Sequence, residues 1–397
     1  MELEITVQIF SGSYLKQNIS YEDAERKLDS ILSRLPVTKV KMGWSPDKTL
    51  YEKTADYLAK RNINFYFWFS VFSETGAIRK LDSLVDFNKQ VLINHDDKTN
   101  ENFAFFCPNS EKNIEKIIDI FNSNFASLPF SGIFLDKIRF PSFANKHGFN
   151  GVFSCFCPEC KAVYENENFD IKKLKHALSS VFSSPLGITE YCGNGKYIFD
   201  DDTLSEFFRI KADIIYKKLK QLCLFFKQKK YSIGFDVFAP FLSTFVGQDL
   251  KRLSSLCDFL KPMMYRITHA PAGLPFETQA LLQQTGILNA EKIKRFYQLL
   301  GINFDSDEKS TSIKKPFNLA FSAKELKNLC KVSACPVYAG IEINRVKDIA
   351  ETDSSYIKET IKAYVDSGVQ GMALSWNLLD MPDDNIDKTI DVINKLS

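Results

Sequence analysis

Short apolar runs alternate with longer amphipathic stretches along most of the chain. The runs are rich in β-branched and aromatic residues and therefore predict strands. Eight of them occur, at Glu4–Phe10, Thr38–Trp44, Asn64–Phe72, Gly132–Phe140, Ser232–Pro240, Asp258–Arg266, Pro336–Arg345 and Gly371–Leu378. Because these runs are largely apolar on both faces, they predict parallel strands that are covered by helices.

The stretches between the runs repeat apolar residues every three or four positions, as one face of a helix does. Such stripes are Ala24, Leu28, Ile31 and Leu35; Phe208, Ala212, Ile215, Leu219, Leu222 and Phe226; Ile357, Ile361 and Val365; and Ile386, Ile390 and Ile393. Eight strand and helix units in succession predict an α/β protein with a (β/α)8 TIM barrel. A doubly wound open sheet is the structural alternative, although no Gly-rich phosphate turn follows the first strand.

Two connections are much longer than ordinary loops. We interpret residues 143–200, after the fourth strand, and residues 267–335, after the sixth, as insertions in a single barrel that spans residues 1–397. Both follow the carboxyl ends of strands, which is the face where barrel loops carry function.

The composition excludes several classes of protein. Apolar residues make up 45% of the chain and charged residues 25%, as in globular proteins rather than disordered ones. The 51 Lys and Arg residues nearly balance the 49 Asp and Glu residues, so we expect no nucleic-acid partner. Long apolar runs are absent, and the first residues, MELEITVQIF, are acidic where an export signal is basic. We therefore expect no membrane partner and a cytoplasmic location, and the sequence does not indicate the oligomeric state.

Acidic side chains interrupt three of the predicted strands near their carboxyl ends. Asp136 in GIFLDKIRF, Asp236 in SIGFDVFAP and Glu342 in VYAGIEINR are at positions that would face a barrel interior. A buried carboxylate there is costly unless it is paired or reaches the mouth of the barrel, and an ion pair such as Asp136 with Arg139 is the structural alternative. Carboxylates in different environments also provide the acid and base that cleavage of a glycosidic bond needs.

Aromatic and polar residues near the same strand ends are candidates for binding a sugar. Indole rings offer a surface for the apolar face of a sugar ring, and core packing is the alternative for them. The predicted substrate-binding residues are Trp44, Trp68, Arg139, Tyr265, His269, Asn344, Trp376 and Asn377. A loop residue without a role is the alternative for His269, and a simple partner of a carboxylate is the alternative for Arg139.

The segment GIFLDKIRFPS resembles the G-(I/V)-x-L-D-x-(I/V)-R-(F/Y)-P segment of glycoside-hydrolase-like barrel families of bacteria. Later segments are similar to the later strands of the same families, namely DVFAP, VGQDLKRLSSLCDFLKPMMY, YAGIEINRV and GVQGMALSWNLLDMP. The resemblance extends over about residues 130–385. It implies a barrel that is distantly similar to alpha-amylase and related sugar hydrolases.

The resemblance implies roles for the three carboxylates. In alpha-amylase-like barrels the acid ending the fourth strand is the nucleophile, the one ending the fifth is the acid/base and the one ending the seventh assists. Asp136, Asp236 and Glu342 are at the matching strands, although an Asp in place of Glu on the fifth strand has a shorter reach. In another group of sugar-hydrolysing barrels the acid is on strand four and the nucleophile on strand seven, so Asp136 with Glu342 is the pair common to both schemes.

From these features we predict a glycoside hydrolase that acts on a carbohydrate and requires no cofactor for catalysis. The alternative is a barrel without catalytic activity that serves as a carbohydrate-binding, protein-interaction or sensor module.

The cysteines suggest a metal site. Their odd number, nine, and wide spacing suit reduced thiols better than a disulfide framework. A C-x-C-x-x-C run lies in the first insertion, and close thiols of this kind predict part of a structural zinc site, with free or redox-active thiols as the alternative. The predicted ligands are Cys155, Cys157 and Cys160, with Cys107, His147 or Cys192 as the fourth.

Overall fold

Eight parallel strands form the central sheet of the computed structural model, which describes residues 3–10, 19–43, 45, 47–73, 81–93, 104–179, 184–303 and 316–396. The strands are β1 (Glu4–Phe10), β2 (Val37–Gly43), β3 (Asn64–Ser70), β4 (Gly132–Asp136), β5 (Ser232–Val237), β6 (Phe259–Pro262), β7 (Tyr338–Glu342) and β8 (Gly371–Ser375). Their order in the sheet is β6-β5-β4-β3-β2-β1-β8-β7. Parallel bridges join β6 to β7, with Leu260 N donating to Pro336 O at 3.0 Å. These bridges bring the two edges of the sheet together, and the predicted (β/α)8 TIM barrel is confirmed.

Helices cover the outside of the sheet between successive strands. The outer helices are Tyr21–Leu32, Lys48–Ala59, Glu111–Asn124, Asp202–Gln228, Leu250–Leu253, Leu319–Val332, Ser354–Asp366 and Asp383–Asn394. The first shows how the sequence sets these elements, because Ser20 and Asp23 form a reciprocal capping box at its start. Its apolar stripe, Ala24, Leu28 and Ile31, is buried, as the periodicity predicts.

Further elements lie in the long connections after β4 and β6. Between β4 and β5 are the helices Gly148–Val152, Pro158–Asn166 and Ile171–Leu178, the 3-10 turn Pro185–Gly187 and a hairpin of Ile188–Gly193 with Lys196–Phe199. After β6 come the helices Leu274–Gln284 and Ala290–Leu299. Smaller elements are the helix Pro240–Ser243, the 3-10 turns Thr244–Val246 and Leu378–Asp380, and the hairpin Arg345–Val346 with Ala350–Glu351. The division into one barrel with two insertions stays a prediction.

Several strands end earlier than the apolar pattern predicts. The run Gly132–Phe140 forms a strand only to Asp136, because Lys137 has a left-handed backbone with a φ of 52°. Apolar residues continue beyond the strand because the chain there still packs in the interior, as Ile138 and Phe140 do. Hydrophobicity therefore marks burial at this face and does not mark the end of the strand.

Aromatic rings fill the lower part of the barrel interior. A cluster of Tyr66, Trp68, Phe134, Phe259 and Tyr338 forms there, separate from the main core beneath the helices. Glycines make room for it, because a Cβ on Gly132 would lie 2.2 Å from the ring of Tyr66 and one on Gly234 would lie 2.1 Å from the ring of Phe259. On β3, β4 and β6 the inward positions that follow Trp68, Phe134 and Phe259 are polar, namely Ser70, Asp136 and Lys261, and they form part of the candidate site.

Within the described ranges, no helix is both long and apolar enough to cross a membrane.

Candidate functional site

The three carboxylates that the sequence singles out come from the carboxyl ends of β4, β5 and β7. In the sheet Leu135 is paired with Phe235, so Asp136 and Asp236 follow one residue later on adjacent strands. Glu342 is the last residue of β7. Negative charge on all three carboxylates acts on the phenol of Tyr265, whose pKa is raised mainly by burial. All three acids are therefore close enough for their charges to act on the same buried tyrosine.

Asp136 is held by neutral donors. The indole Nε1 of Trp68 donates to its Oδ2 at 3.0 Å, and the backbone N–H of Lys137 donates to Oδ1. No ion pair with Asp136 is found in the part of the chain that the structure describes, so the alternative of an Asp136–Arg139 ion pair is not formed. Asp136 has 7% of its surface exposed, more than the other two acids.

Asp236 is held by a buried cation. Lys261 on β6 donates from Nζ to both carboxylate oxygens at 3.0 Å, and it also donates to the hydroxyl of Tyr265. Burial raises the pKa of Asp236 to about 6, the positive charge of Lys261 opposes this shift, and the negative charge of Asp136 adds to it. Burial lowers the pKa of Lys261.

A second lysine, Lys41 on β2, is also fully buried in the barrel. Its Nζ lies 4.4 Å from the centroid of the Phe134 ring and donates to Thr6 Oγ1 at 2.9 Å. Burial holds the pKa of Lys41 well below its ordinary value, and the positive charge of Lys261 lowers it further.

Glu342 is saturated with hydrogen bonds. Its Oε1 accepts from the backbone N–H groups of Ile267 and Thr268 at 2.7 and 3.1 Å and from Thr268 Oγ1 at 3.3 Å. Its Oε2 accepts from the hydroxyl of Tyr356 at 2.6 Å. Burial raises the pKa of Glu342, and these hydrogen bonds oppose the shift. The carboxylate thus fixes the loop after β6 against the helix Ser354–Asp366.

The predicted aromatic binding residues lie mostly inside the protein. Trp68 is 5% exposed and makes edge contacts with Phe10 and Phe134 at 6.1 and 6.3 Å between centroids. Trp376 is 9% exposed and donates from Nε1 to Thr268 Oγ1 at 3.2 Å. Tyr265 is buried beside Lys261. Trp44 lies outside the described residues, and stacking of these rings on a sugar stays a prediction.

Two of the predicted polar binding residues, Asn344 and Asn377, form hydrogen bonds with backbone groups near the strand ends. Asn344 donates to the backbone O of Asn377 at 2.9 Å, and Asn377 Oδ1 accepts from the backbone of Phe10 at 3.3 Å. The imidazole of half-buried His269 has no hydrogen-bond partner within the described ranges, and burial lowers its pKa. The roles of these residues in binding stay predictions.

Arg139 is enclosed by aromatic rings. Its guanidinium lies 4.6 Å from the centroid of Phe105 and 4.3 Å from that of Phe238. It donates to Phe140 O at 2.9 Å and to Asn145 Oδ1 at 3.1 Å. Burial lowers the pKa of Arg139 to about 10, so the group remains charged at neutral pH. A role for Arg139 in substrate binding stays a prediction.

Two further polar residues, Gln8 and Ser70, face inward near the same end of the barrel, and they were not predicted as site residues from the sequence. Gln8 on β1 accepts from Ser375 Oγ at 2.9 Å through Oε1, but its buried Nε2 has no partner among the described residues. The buried hydroxyl of Ser70 on β3, paired in register with Asp136, also lacks one there. The inward parity that singles out the carboxylates would have identified both. Unpaired buried polar groups of this kind are rare, and they make Gln8 and Ser70 candidates for contacts with a ligand.

Four cysteines meet at a second site, in the connections that follow β3 and β4. The sulfur atoms of Cys107, Cys155, Cys157 and Cys160 all lie within 4.8 Å of one another and are buried. We call this group the cysteine cluster. Of the three candidates for a fourth ligand, Cys107 joins the run, while His147 and Cys192 do not. All nine cysteines are among the described residues, and all are free thiols.

The sequence matches no protein-family model and no curated protein. Solved structures do share the fold. The glycoside hydrolase domain of PgaB (BpsB) from Bordetella bronchiseptica aligns with a TM-score of 0.57 at 12% identity, over 98% of this chain and 99% of that chain. The Group IV chitinase of Ostrinia furnacalis aligns with a TM-score of 0.50 at 7% identity, over 99% of this chain and 100% of that chain.

These comparisons define a class of fold. The chain has a (β/α)8 barrel similar to those of glycoside hydrolase domains, over nearly its whole length. The two neighbours are named as a PgaB domain and a chitinase, so they give no support to the amylase-like part of the resemblance. At such low identity the likeness concerns the fold and does not assign residues.

Proposed function

We propose that the protein is a glycoside hydrolase in which Asp136 and Asp236 act as the reacting carboxylates. The observation that carries the proposal is their difference in environment at neighbouring positions of adjacent strands. Asp136 accepts only neutral hydrogen bonds, whereas Asp236 is buried against Lys261 with its pKa raised to about 6. Two neighbouring carboxyl groups in such different environments can take different roles in acid and base catalysis.

The roles follow from these environments. Asp236 in its protonated form gives its proton to the glycosidic oxygen as the bond to the anomeric carbon breaks. Ionised Asp136 attacks or stabilises the anomeric carbon, which develops positive charge in the transition state. Asp236 then accepts a proton from the water that completes hydrolysis. Lys261 holds Asp236 and also donates to the hydroxyl of Tyr265. The donors of Gln8 and Ser70, which have no partner among the described residues, are assigned to sugar hydroxyls in this proposal.

Glu342 has a different role in this proposal. The four hydrogen bonds to its carboxylate leave little capacity for a substrate, so we assign it to holding the loop after β6. Sequence reasoning favours Asp136 with Glu342 as the reacting pair, and that assignment stays a prediction to be tested against Asp236.

The substrate in this proposal is an oligosaccharide. Since one neighbour is named a chitinase, chitin oligosaccharides are the first probes, followed by oligosaccharides of other common linkages. Release of reducing ends, measured across the panel, is expected for at least one glycan with the wild-type chain. Binding without turnover of any glycan would contradict the proposal and favour a carbohydrate-binding module.

Variants of the acids test the roles. Asp136→Asn is expected to lower kcat by roughly 10³-fold, because the amide keeps the shape and the bond from Trp68 but cannot supply a negative charge. Asp236→Asn is expected to cause a loss of similar size, since an amide cannot transfer the proton. Glu342→Gln is the matched control and is expected to lower stability more than kcat. A loss of kcat with Glu342→Gln but not with Asp236→Asn would reverse the assignment.

A further inference from the structure

The cysteine cluster has the dimensions of a single tetrahedral metal site. Four sulfurs at about 2.3 Å from a zinc ion would be about 3.8 Å apart. Cys107 Sγ lies 3.6 Å from the sulfurs of both Cys157 and Cys160, and all four sulfurs are within 4.8 Å of one another. The four thiols are therefore arranged around a common centre and not in a row or as two separate pairs.

We propose that Cys107, Cys155, Cys157 and Cys160 bind one Zn²⁺ ion as a closed structural site. All four ligands come from the protein and all four residues are buried, which is the arrangement of structural rather than catalytic zinc. The site is independent of the carboxylates, so it stands whether or not the chain hydrolyses a glycoside.

Other uses of the four thiols fit the distances less well. A disulfide needs sulfurs about 2.0 Å apart, whereas Cys107 is equally distant from two partners. A cluster of two or four irons places the sulfurs on different irons and spreads them further apart than a single ion does. Inert buried thiols would need no such convergence of residues from two distant parts of the sequence.

The surroundings of the sulfurs suit thiolates. The backbone N–H groups of Val85 and Cys157 donate to Cys155 Sγ at 3.3 and 3.4 Å. Four thiolates and one Zn²⁺ carry a net negative charge, and these two backbone donors would partly offset it.

The site would fasten two connections at the carboxyl ends of the strands. Cys107 N donates to Asp82 O at 2.9 Å, and Phe156 N donates to Val85 O at 2.8 Å. The first bond lies within the chain after β3, and the second joins that chain to the chain after β4. These are the two strands that carry Trp68 and Asp136. The cluster would thus be a positioning element for this part of the mouth, and it does not touch the carboxylates.

Metal analysis of the purified full-length chain tests the proposal. We expect one zinc per chain in protein produced in zinc-containing medium and purified without a metal-affinity step. An organomercurial reagent that modifies thiols should release that zinc, as measured with a chromogenic chelator. Cys192→Ser, at an exposed cysteine outside the cluster, is the control and should keep the full zinc content. Iron in place of zinc, or no metal in folded wild-type protein, would overturn the proposal.

Ligand variants identify the atoms involved. Cys107→Ser and Cys160→Ser should lose most of the zinc and lower Tm by at least ~5 °C relative to Cys192→Ser. Because these variants can fail to fold, cobalt substitution of the wild-type chain provides a second measurement. Co²⁺ should show the visible bands of tetrahedral thiolate coordination, and Cys107→His should retain cobalt while moving the bands to shorter wavelength. Cobalt bands that are unchanged in Cys107→His would exclude Cys107 as a ligand.

Discussion

The two sides of the barrel mouth hold their carboxylates in different ways. On the β4–β5 side, Asp136 accepts two neutral hydrogen bonds and Asp236 depends on one cation, Lys261. On the β7 side, Glu342 accepts four hydrogen bonds from two backbone amides and two hydroxyls. Burial alone does not distinguish the sides, because all three acids are buried.

The two sides differ in how many stabilising contacts their carboxylates can lose. Removing Lys261 from the β4–β5 side takes away the cation that donates to both oxygens of Asp236, whereas the β7 side can lose one donor to Glu342 and keep others. A carboxylate that changes its protonation at a physiological pH can react, and one that is saturated with hydrogen bonds can hold a loop. We therefore distinguish Asp236, whose pKa burial raises to about 6, from Glu342, which holds a loop.

The largest expected effect on stability comes from removing the cation of the β4–β5 side. Lys261→Met leaves Asp236 buried without its partner, and at neutral pH it should lower the free energy of unfolding by about 3–5 kcal/mol in urea titrations. Lys251→Met, at an exposed lysine, is the control and should change stability by less than ~0.5 kcal/mol. The double variant Lys261→Met with Asp236→Leu should recover much of the loss.

The ion pair would be irrelevant to the β4–β5 side if Lys261→Met destabilised the protein no more than Lys251→Met. A loss that the double variant does not reduce would point to lost packing of the lysine stem instead of an unpaired charge.

The next effect concerns pH. Burial raises the pKa of Asp236 from 3.8 to about 6, so the folded state binds this proton more tightly than the unfolded state does. The resulting stability is fully present below the unfolded pKa and is lost as the pH rises through about 6. With roughly two pKa units at about 1.4 kcal/mol each, the loss amounts to about 3 kcal/mol.

Comparison with Asp236→Asn removes the titration of Asp236, together with the negative charge that raises the pKa of Lys261. The free energy of unfolding of the wild type, minus that of Asp236→Asn, should fall between about pH 4 and pH 7. A difference that rises with pH over this interval would mean that Lys261 dominates and that the pKa of Asp236 is lowered in the folded state.

The strand pattern was sufficient to predict the barrel, because β-branched and aromatic runs recur between amphipathic stretches and each such run became a strand. It could not predict the strand ends. The chain beyond Asp136 is as apolar as β4 itself, and only the backbone of Lys137 shows where the strand stops. Burial of the loops at the mouth removes the change in polarity on which sequence reasoning depends.

The sequence predicted which residues of each strand belong to the candidate site, but it did not predict the contacts between residues of different strands. Alternation along each strand indicates which residues face inward, and it singles out Asp136, Asp236 and Glu342. The partners of these acids depend on register between strands, as for Lys261, which is paired with Asp236 in the sheet. The donors to Glu342 come from a loop and an outer helix, which no local pattern connects to β7.

The cysteine cluster shows the same limit. Spacing within a short run identifies Cys155, Cys157 and Cys160 as neighbours, but three distant residues were equally acceptable as the fourth member. Cys107 lies in the connection after β3, and folding brings it to the run. Its neighbour Phe106 donates from the backbone N–H to the backbone O of Phe72, just beyond the end of that strand. Contacts between segments that are distant in the sequence depend on the fold, so the fourth cysteine could not be chosen from the sequence alone.

The smallest expected effect tests the β7 side. Tyr356→Phe removes the hydroxyl that donates to Glu342 Oε2 at 2.6 Å and should lower the free energy of unfolding by about 2 kcal/mol, since the acceptor is charged. Tyr364→Phe is the matched control, because that buried hydroxyl donates at 3.0 Å to a neutral acceptor, Met264 O, and its loss should cost about 1 kcal/mol. If Glu342 positions the loop through its charge, the difference between the two variants should shrink at a pH where Glu342 is protonated. Equal losses at every pH would show that the charge of Glu342 contributes nothing beyond an ordinary hydrogen bond, and the contrast between the two sides of the mouth would then lie only in the number of donors.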